Sequence, residues 1–135
     1  MFGKTHSKPQ TQIDSLIGAN AIIGGDINFS GGLRVDGQVN GNVIATPGKP
    51  STLVLSEHAR VNGEVSVTHL VTNGTINGPV SATEYLELQG KARVTGDIHY
   101  KTMQIQLGAI IEGRLIHGKS EVDDKVVAFK AGSGE

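Results

Sequence analysis

From about residue 16 onward, apolar and polar positions alternate in short runs. Leu53, Leu55, Ala59, Val61, Val65 and Val67 all stand at even offsets from Gly63. Leu86, Leu88, Ala92, Val94, Ile98 and Tyr100 do so around Gly96, and Ile105, Leu107, Ala109, Ile111 and Leu115 around Gly113. A period of two sends successive side chains to opposite sides of a strand. A helix needs spacings of three and four, which these segments lack. The pattern predicts an all-β chain of short strands.

The alternation is organised by a recurring phrase: aliphatic, any, Gly, any, aliphatic. It reads Ile23-Gly24-Gly25-Asp26-Ile27, then Val39-Asn40-Gly41-Asn42-Val43, Val61-Asn62-Gly63-Glu64-Val65 and Ile76-Asn77-Gly78-Pro79-Val80. Val94-Thr95-Gly96-Asp97-Ile98 and Ile111-Glu112-Gly113-Arg114-Leu115 complete the series. The central glycines are 16, 22, 15, 18 and 17 residues apart, and the long interval holds the turn-like insertion Thr46-Pro47-Gly48-Lys49-Pro50. A unit of about 17 residues is too short for a propeller blade and lacks the helix of a leucine-rich repeat. It fits one turn of a β-solenoid, three short strands joined by tight corners. No turn buries its apolar side alone, so turns stack about 4.8 Å apart, and six give a rod of roughly 30 Å. A β-sandwich does not repeat one Gly-centred phrase six times at near-constant spacing. Periodicity leaves the handedness open, because a left-handed hexapeptide helix has a turn of similar length.

Composition agrees with a narrow rod. The 135 residues include 19 Gly but only 5 aromatics, so stacked Val, Ile and Leu fill the interior and glycine serves the corners. Twelve basic and 13 acidic residues give a net charge of −1, so there is no global basic field to hold nucleic acid. The absence of Cys removes disulfides, thiol catalysis and Cys-ligated zinc. No apolar run reaches the length of a membrane span, and the first residues have no apolar core of a secretory signal. These features place the protein in the cytoplasm. Three regions are expected: a flexible N-terminal tail at 1–15, a solenoid core at 16–118, and a C-terminal tail or cap at 119–135. Within the last, Val126-Val127-Ala128-Phe129 is an apolar patch that fits a cap over the last turn.

A family resemblance rests on the order of these phrases. Leu16-Ile17-Gly18 leading to Ile23-Gly24-Gly25-Asp26-Ile27 resembles the opening of bactofilins. So does Gly32-Leu33-Arg34-Val35-Asp36-Gly37-Gln38-Val39-Asn40-Gly41-Asn42-Val43. Val71-Thr72-Asn73-Gly74-Thr75-Ile76-Asn77-Gly78, Ala92-Arg93-Val94-Thr95-Gly96-Asp97-Ile98 and Gly108-Ala109-Ile110-Ile111-Glu112-Gly113 are similar in turn. The likeness covers about residues 16–117. It implies a right-handed β-helix with flexible tails, in a bacterial cytoskeletal protein that polymerises without nucleotide. Such proteins join end to end into filaments or sheets, line the inner face of the cytoplasmic membrane, and position cell-wall or morphogenetic proteins. No enzyme activity and no cofactor are implied, and no G-x-x-x-x-G-K-[ST] phosphate loop occurs.

Candidate contact residues follow. An uncapped solenoid leaves an open strand row and an apolar cross-section at each end. Ile17, Ile22 and Ile23 lie near one end; Ile105, Ile111 and Leu115 lie near the other. Bactofilins often carry an aromatic beside the last Glu-Gly, where this chain has Ile111, and Phe129 from the tail is a substitute candidate. Met1, Phe2, Lys4 and Lys8 resemble the short membrane-targeting start of many bactofilins. Burying Phe2 is worth roughly 1.5–3 kcal/mol, and each Lys near anionic lipid about 1 kcal/mol. One copy binds weakly; a polymer presenting many binds strongly through avidity.

Two rival classes are weighed against the scaffold. A solenoid enzyme of the hexapeptide acyltransferase or carbonic anhydrase type needs a catalytic set, and the latter needs three His on zinc. The five His are 6, 58, 69, 99 and 117. His99 and His117 are 18 apart, but their offsets from the repeat glycines differ by one, which sends them to opposite sides of a strand. An adaptor that binds a partner on its side would use an exposed row such as Asp26, Asn42, Glu64, Asp97 and Arg114.

Overall fold

A computed structural model describes residues 12–118, which form sixteen strands and no helix. The strands run in six turns over three faces. The first turn holds β1 (Ser15–Ile17), β2 (Ile22–Gly24) and β3 (Ile27–Phe29), and the second β4 (Gly31–Val35), β5 (Gln38–Asn40) and β6 (Val43–Ala45). The third begins with β7 (Ser51–Leu55) and β8 (Arg60–Asn62) and enters β9 (Val65–Thr72), which bends round a corner to open the fourth turn. β10 (Thr75–Asn77) follows, and β11 (Val80–Leu88) bends in the same way, its register shifting between Ala82 and Tyr85. β12 (Arg93–Thr95) and β13 (Ile98–Tyr100) finish the fifth turn. β14 (Met103–Ile105), β15 (Ile110–Glu112) and β16 (Leu115–His117) make the sixth. Every pairing is parallel. The expected β-solenoid of six turns is therefore the fold.

Parallel register stacks like on like. On the second face the inward column is Ile23, Val39, Val61, Ile76, Val94 and Ile111. On the third it is Ile27, Val43, Val65, Val80, Ile98 and Leu115. The first face supplies Leu33, Leu53, Leu70, Leu86 and Met103. In the middle turns these side chains are fully buried. The columns fill a narrow interior with branched aliphatic groups, each worth about 1.5–3 kcal/mol of burial. Thr72 interrupts the neighbouring column between Leu55 and Leu88, fully buried, and its Oγ1 accepts the Gly74 N–H at 3.0 Å. That bond removes the cost of a bare hydroxyl in the core.

The corner between the second and third faces explains the glycine phrase. A Cβ added to Gly41 would lie 2.2 Å from the Gly25 carbonyl oxygen, and one on Gly63 2.2 Å from that of Gly41. Gly78, Gly96 and Gly113 repeat the contact at 2.2, 2.4 and 2.0 Å with the glycine one turn below. Each glycine thus stacks its bare backbone on the last. The next residue laces the corner: Asp26 Oδ1 accepts the Asn42 N–H, Asn42 Oδ1 the Glu64 N–H, and Asp97 Oδ1 the Arg114 N–H. One residue earlier, Asn77 Nδ2 donates to Asn62 Oδ1 and Asn62 Nδ2 to Asn40 Oδ1, both at 2.8 Å.

The corner between the first and second faces accounts for the two short turns. Residues 18–21, 56–59, 89–92 and 106–109 make four-residue turns, each closed by an N–H to the carbonyl three residues back. Asp36-Gly37 and Asn73-Gly74 make two-residue corners that nest against a four-residue one; a Cβ on Gly37 would lie 2.3 Å from the Gly18 oxygen. These two short corners fall in the 16- and 15-residue glycine intervals.

One detail of the alternation is corrected. Leu107 shares the even offset of Ile105, which predicts an inward side chain, yet it is 99% exposed. It sits at the tip of the turn Gln106-Leu107-Gly108-Ala109. A four-residue turn preserves even spacing, so Ala109 returns to the inward side while Leu107 does not.

Gly78→Ala is expected to cost at least about 2 kcal/mol, because its Cβ meets backbone that cannot yield. Gly24→Ala, where nothing lies within 4 Å, should stay within about 0.5 kcal/mol of the parent. Urea or thermal unfolding of the two variants measures the difference.

Candidate assembly surfaces at the rod ends

The first and last turns carry the same inward columns as the middle, but each has a neighbour on one side only. In the first turn Ile17, Ile23, Ile27 and Phe29 are half-buried. In the sixth, Met103, Ala109 and Ile111 are half-buried, and Ile105 and Leu115 are each 45% exposed. The strand edges at these ends have no further turn among the described residues. Asp14 begins a cover at the first end: its N–H donates to the Gly32 carbonyl at 2.9 Å, and its Oδ2 accepts the Gly32 N–H at 3.0 Å.

Of the residues singled out from sequence, Ile17 and Ile23 stand in the first cross-section and Ile105, Ile111 and Leu115 in the last. Ile22 does not share the cross-section with Ile23. It projects outward from the second face and is 68% exposed. Phe129 and the membrane-targeting set Met1, Phe2, Lys4 and Lys8 lie outside the described residues.

Structure adds rim positions that the alternation did not single out. The outward column of the second face reads Ile22, Gln38, Arg60, Thr75, Arg93 and Ile110. Its members are polar in the middle and apolar at the two ends. Leu16 opens the outward column of the first face and is 60% exposed, and Leu107 projects beside the last turn. Aligning the repeats by column, rather than reading parity alone, is the signal that finds them.

The charged groups stabilise the sides of the rod. Arg114 Nη2 lies 3.0 Å from Asp97 Oδ2, and that hydrogen bond, with the Arg114 N–H, holds the Asp97 carboxyl below its usual range. Lys91 Nζ, 3.1 Å from Glu57 Oε1, lowers the Glu57 carboxyl in the same way. In the row considered as an adaptor surface, Asp26, Asn42 and Asp97 already accept backbone N–H groups from the next turn.

The histidine geometry follows the offset argument. His99 pairs with Ile116 and His117 with Tyr100, so the two imidazoles project to opposite sides of the sheet. His117 stacks on Tyr100 with ring centroids 5.4 Å apart. Among the described residues no group of three or more His, Asp or Glu is arranged to hold a metal ion. A groove of about 800 Å³ runs along the third corner, lined by Glu84, His99, Tyr100, Lys101 and His117 among others. Its one ion pair, Lys101 with Glu84 at 3.5 Å, is exposed. Among the described residues no helix is long and apolar enough to cross a membrane.

A family model described as bactofilin, polymer-forming cytoskeletal, matches residues 15–116, the whole stack of turns but for its outermost residue. The chain belongs to the bactofilin family. It is similar to bactofilin BacP of Myxococcus xanthus (strain DK1622), 29% identical over 108 residues. That alignment covers 80% of this chain and 43% of the relative, so the chain spans less than half of the relative's length. No solved structure matches. The distinctive surfaces of this bactofilin are two apolar ends on a laced, polar-sided rod.

Because Asp97 titrates low in the folded chain, its pairing stabilises the rod above the carboxylate's ordinary value of 3.8 and is lost as pH falls through the lowered value. Arg114→Ala should move the Asp97 carboxyl upward in an NMR titration, and added salt should shrink the shift in the parent.

Proposed function

We propose that this chain is a cytoskeletal scaffold that self-assembles end to end, without nucleotide, at the inner face of the cytoplasmic membrane. There it organises cell-shape or cell-wall factors. The observation that carries the reading is the contrast between ends and sides. Apolar side chains that are buried in every middle turn are half-exposed or exposed at both ends. Contact between like ends would bury each cross-section in an isologous pair, and two different such pairs in alternation make an open filament. The proposed interface residues are Ile17 and Ile23 at one end and Ile105, Ile111 and Leu115 at the other, with Leu16, Ile22, Leu107 and Ile110 on the rims. Membership of a polymer-forming cytoskeletal family supports self-association.

Membrane attachment falls to Met1, Phe2, Lys4 and Lys8, with anionic lipid as the partner. The ring supplies apolar burial and the two lysines supply charge, each weak alone and strong when a polymer repeats them.

Negative-stain microscopy of purified protein without nucleotide should show fibres. Ile111→Arg should remove them while leaving the far-UV circular dichroism and thermal unfolding close to the parent, since the long side chain can reach water from the end of the stack. Fibres of normal length from a folded Ile111→Arg protein would contradict an end contact through Ile111. Deleting residues 2–8 should abolish sedimentation with anionic vesicles and leave assembly intact. Unchanged co-sedimentation of the truncated protein counts against the membrane role.

A further inference from the structure

Four large apolar side chains point outward rather than into a cross-section, and all four flank one edge of the rod, the corner between the first and second faces. Leu16 and Ile22 stand exposed on either side of the turn 18–21. Leu107 is the exposed tip of the turn 106–109, and Ile110 follows it, also exposed. The two pairs lie in the first and sixth turns, about 24 Å apart when each turn adds roughly 4.8 Å. Contact between rod ends covers cross-sections, and a side chain that points away from the axis keeps a flank in water.

Between these apolar groups the edge is basic. Arg60 and Arg93 occupy the outward column that begins at Ile22 and ends at Ile110, in the third and fifth turns. The carboxylates nearby have partners: Asp36 pairs with Arg34 at 2.9 Å and Glu57 with Lys91 at 3.1 Å, while Glu87 accepts the Tyr85 hydroxyl and Gln89 Nε2. Arg60 and Arg93 are exposed, and among the described residues neither forms an ion pair. Val54 and Val71, half-buried, continue the column of Leu16. Asp26, Glu64 and Glu112 stand at the opposite border of the second face.

We propose that this edge lies on an anionic lipid bilayer. The contact rests on the membrane placement proposed above and adds a second site to the N-terminal one. Leu16, Ile22, Leu107 and Ile110 enter the acyl boundary at the two ends of the rod. Arg60 and Arg93 reach headgroup phosphates between them, their stems lying along the apolar boundary. The carboxylates at the far border keep the second face from lying flat, so the rod rests on its corner. The acidic corner of another copy would match the arginines, but it has no exposed large apolar side chain to cover Leu16 or Leu107. A bilayer supplies both charge and apolar depth.

The chain has no Trp, so an introduced one reports alone. Leu107→Trp in the full chain should emit at shorter wavelength once equimolar phosphatidylcholine–phosphatidylglycerol vesicles are added, and Lys49→Trp, on the third corner, should not. Flotation then separates lipid-bound protein from free polymer. Arg60→Gln with Arg93→Gln should weaken partitioning about 25-fold, at about fivefold per cation near the surface. Lys49→Gln with Lys101→Gln removes the same charge elsewhere and should change it by less than about twofold. An unshifted Leu107→Trp, or equal losses in both double variants, overturns the edge contact. So does narrower bundling without vesicles at unchanged flotation, which assigns the edge to a neighbouring rod. Phe2→Gln tests the N-terminal site separately. If it abolishes flotation and the arginine pair changes nothing, the N-terminal reading stands and the edge contact fails. If only the arginine pair matters, the edge stands and the N-terminal reading fails. A parent chain that does not float overturns both.

Discussion

The rod depends on one close approach: glycine backbone stacked on glycine backbone at the corner between the second and third faces. Wherever a lower turn is present, a methyl group there would sit 2.0–2.4 Å from a carbonyl oxygen of the turn below. Only hydrogen fits. Because the corner is that tight, all three faces can keep parallel pairing from turn to turn. That pairing aligns the aliphatic columns and brings Asp26, Asn42 and Asp97 to the N–H of the next turn. Core packing and surface lacing both follow from the bare corner.

The same arrangement sets what the surface can do. Along the sides, backbone groups are paired and exposed positions are largely polar; the ion pair Asp97–Arg114 links neighbouring turns, and Glu57–Lys91 reaches from the third turn to the fifth across the short Asn73-Gly74 corner. At the ends, identical architecture lacks a neighbour. A stacked fold has no way to taper its apolar interior except by changing the residues of its last turns. Here those residues remain Ile, Leu and Met in the inward columns, and Ile22 and Ile110 carry apolar character into the outward column. An end built like a middle is suited to receiving something that continues the stack.

Much of this was legible in the chain itself. Phrase and alternation together predicted strands, the number of turns and most of the buried residues, because a stacked fold repeats one local solution and each repeat reports the same constraint. The long interval between Gly41 and Gly63 holds the insertion at residues 46–50, which lies in an exposed corner. Parity failed at Leu107, since a four-residue turn and a continued strand leave the same even spacing. It also said nothing of Leu16 and Ile110, which stand one step off the inward columns.

The sequence by itself determined the kind of structure: a six-turn β-stack with an aliphatic interior, glycine corners and no aromatic core. It could do so because its signals are local and repeated. Only the tertiary structure decided which glycines touch which carbonyls, why two intervals are short, and which apolar residues meet water. Those facts depend on the neighbour one turn away, and exposure at an end is the absence of that neighbour. The same inward isoleucine is core at Ile76 and surface-forming at Ile111, with nothing in its own phrase to tell the two apart.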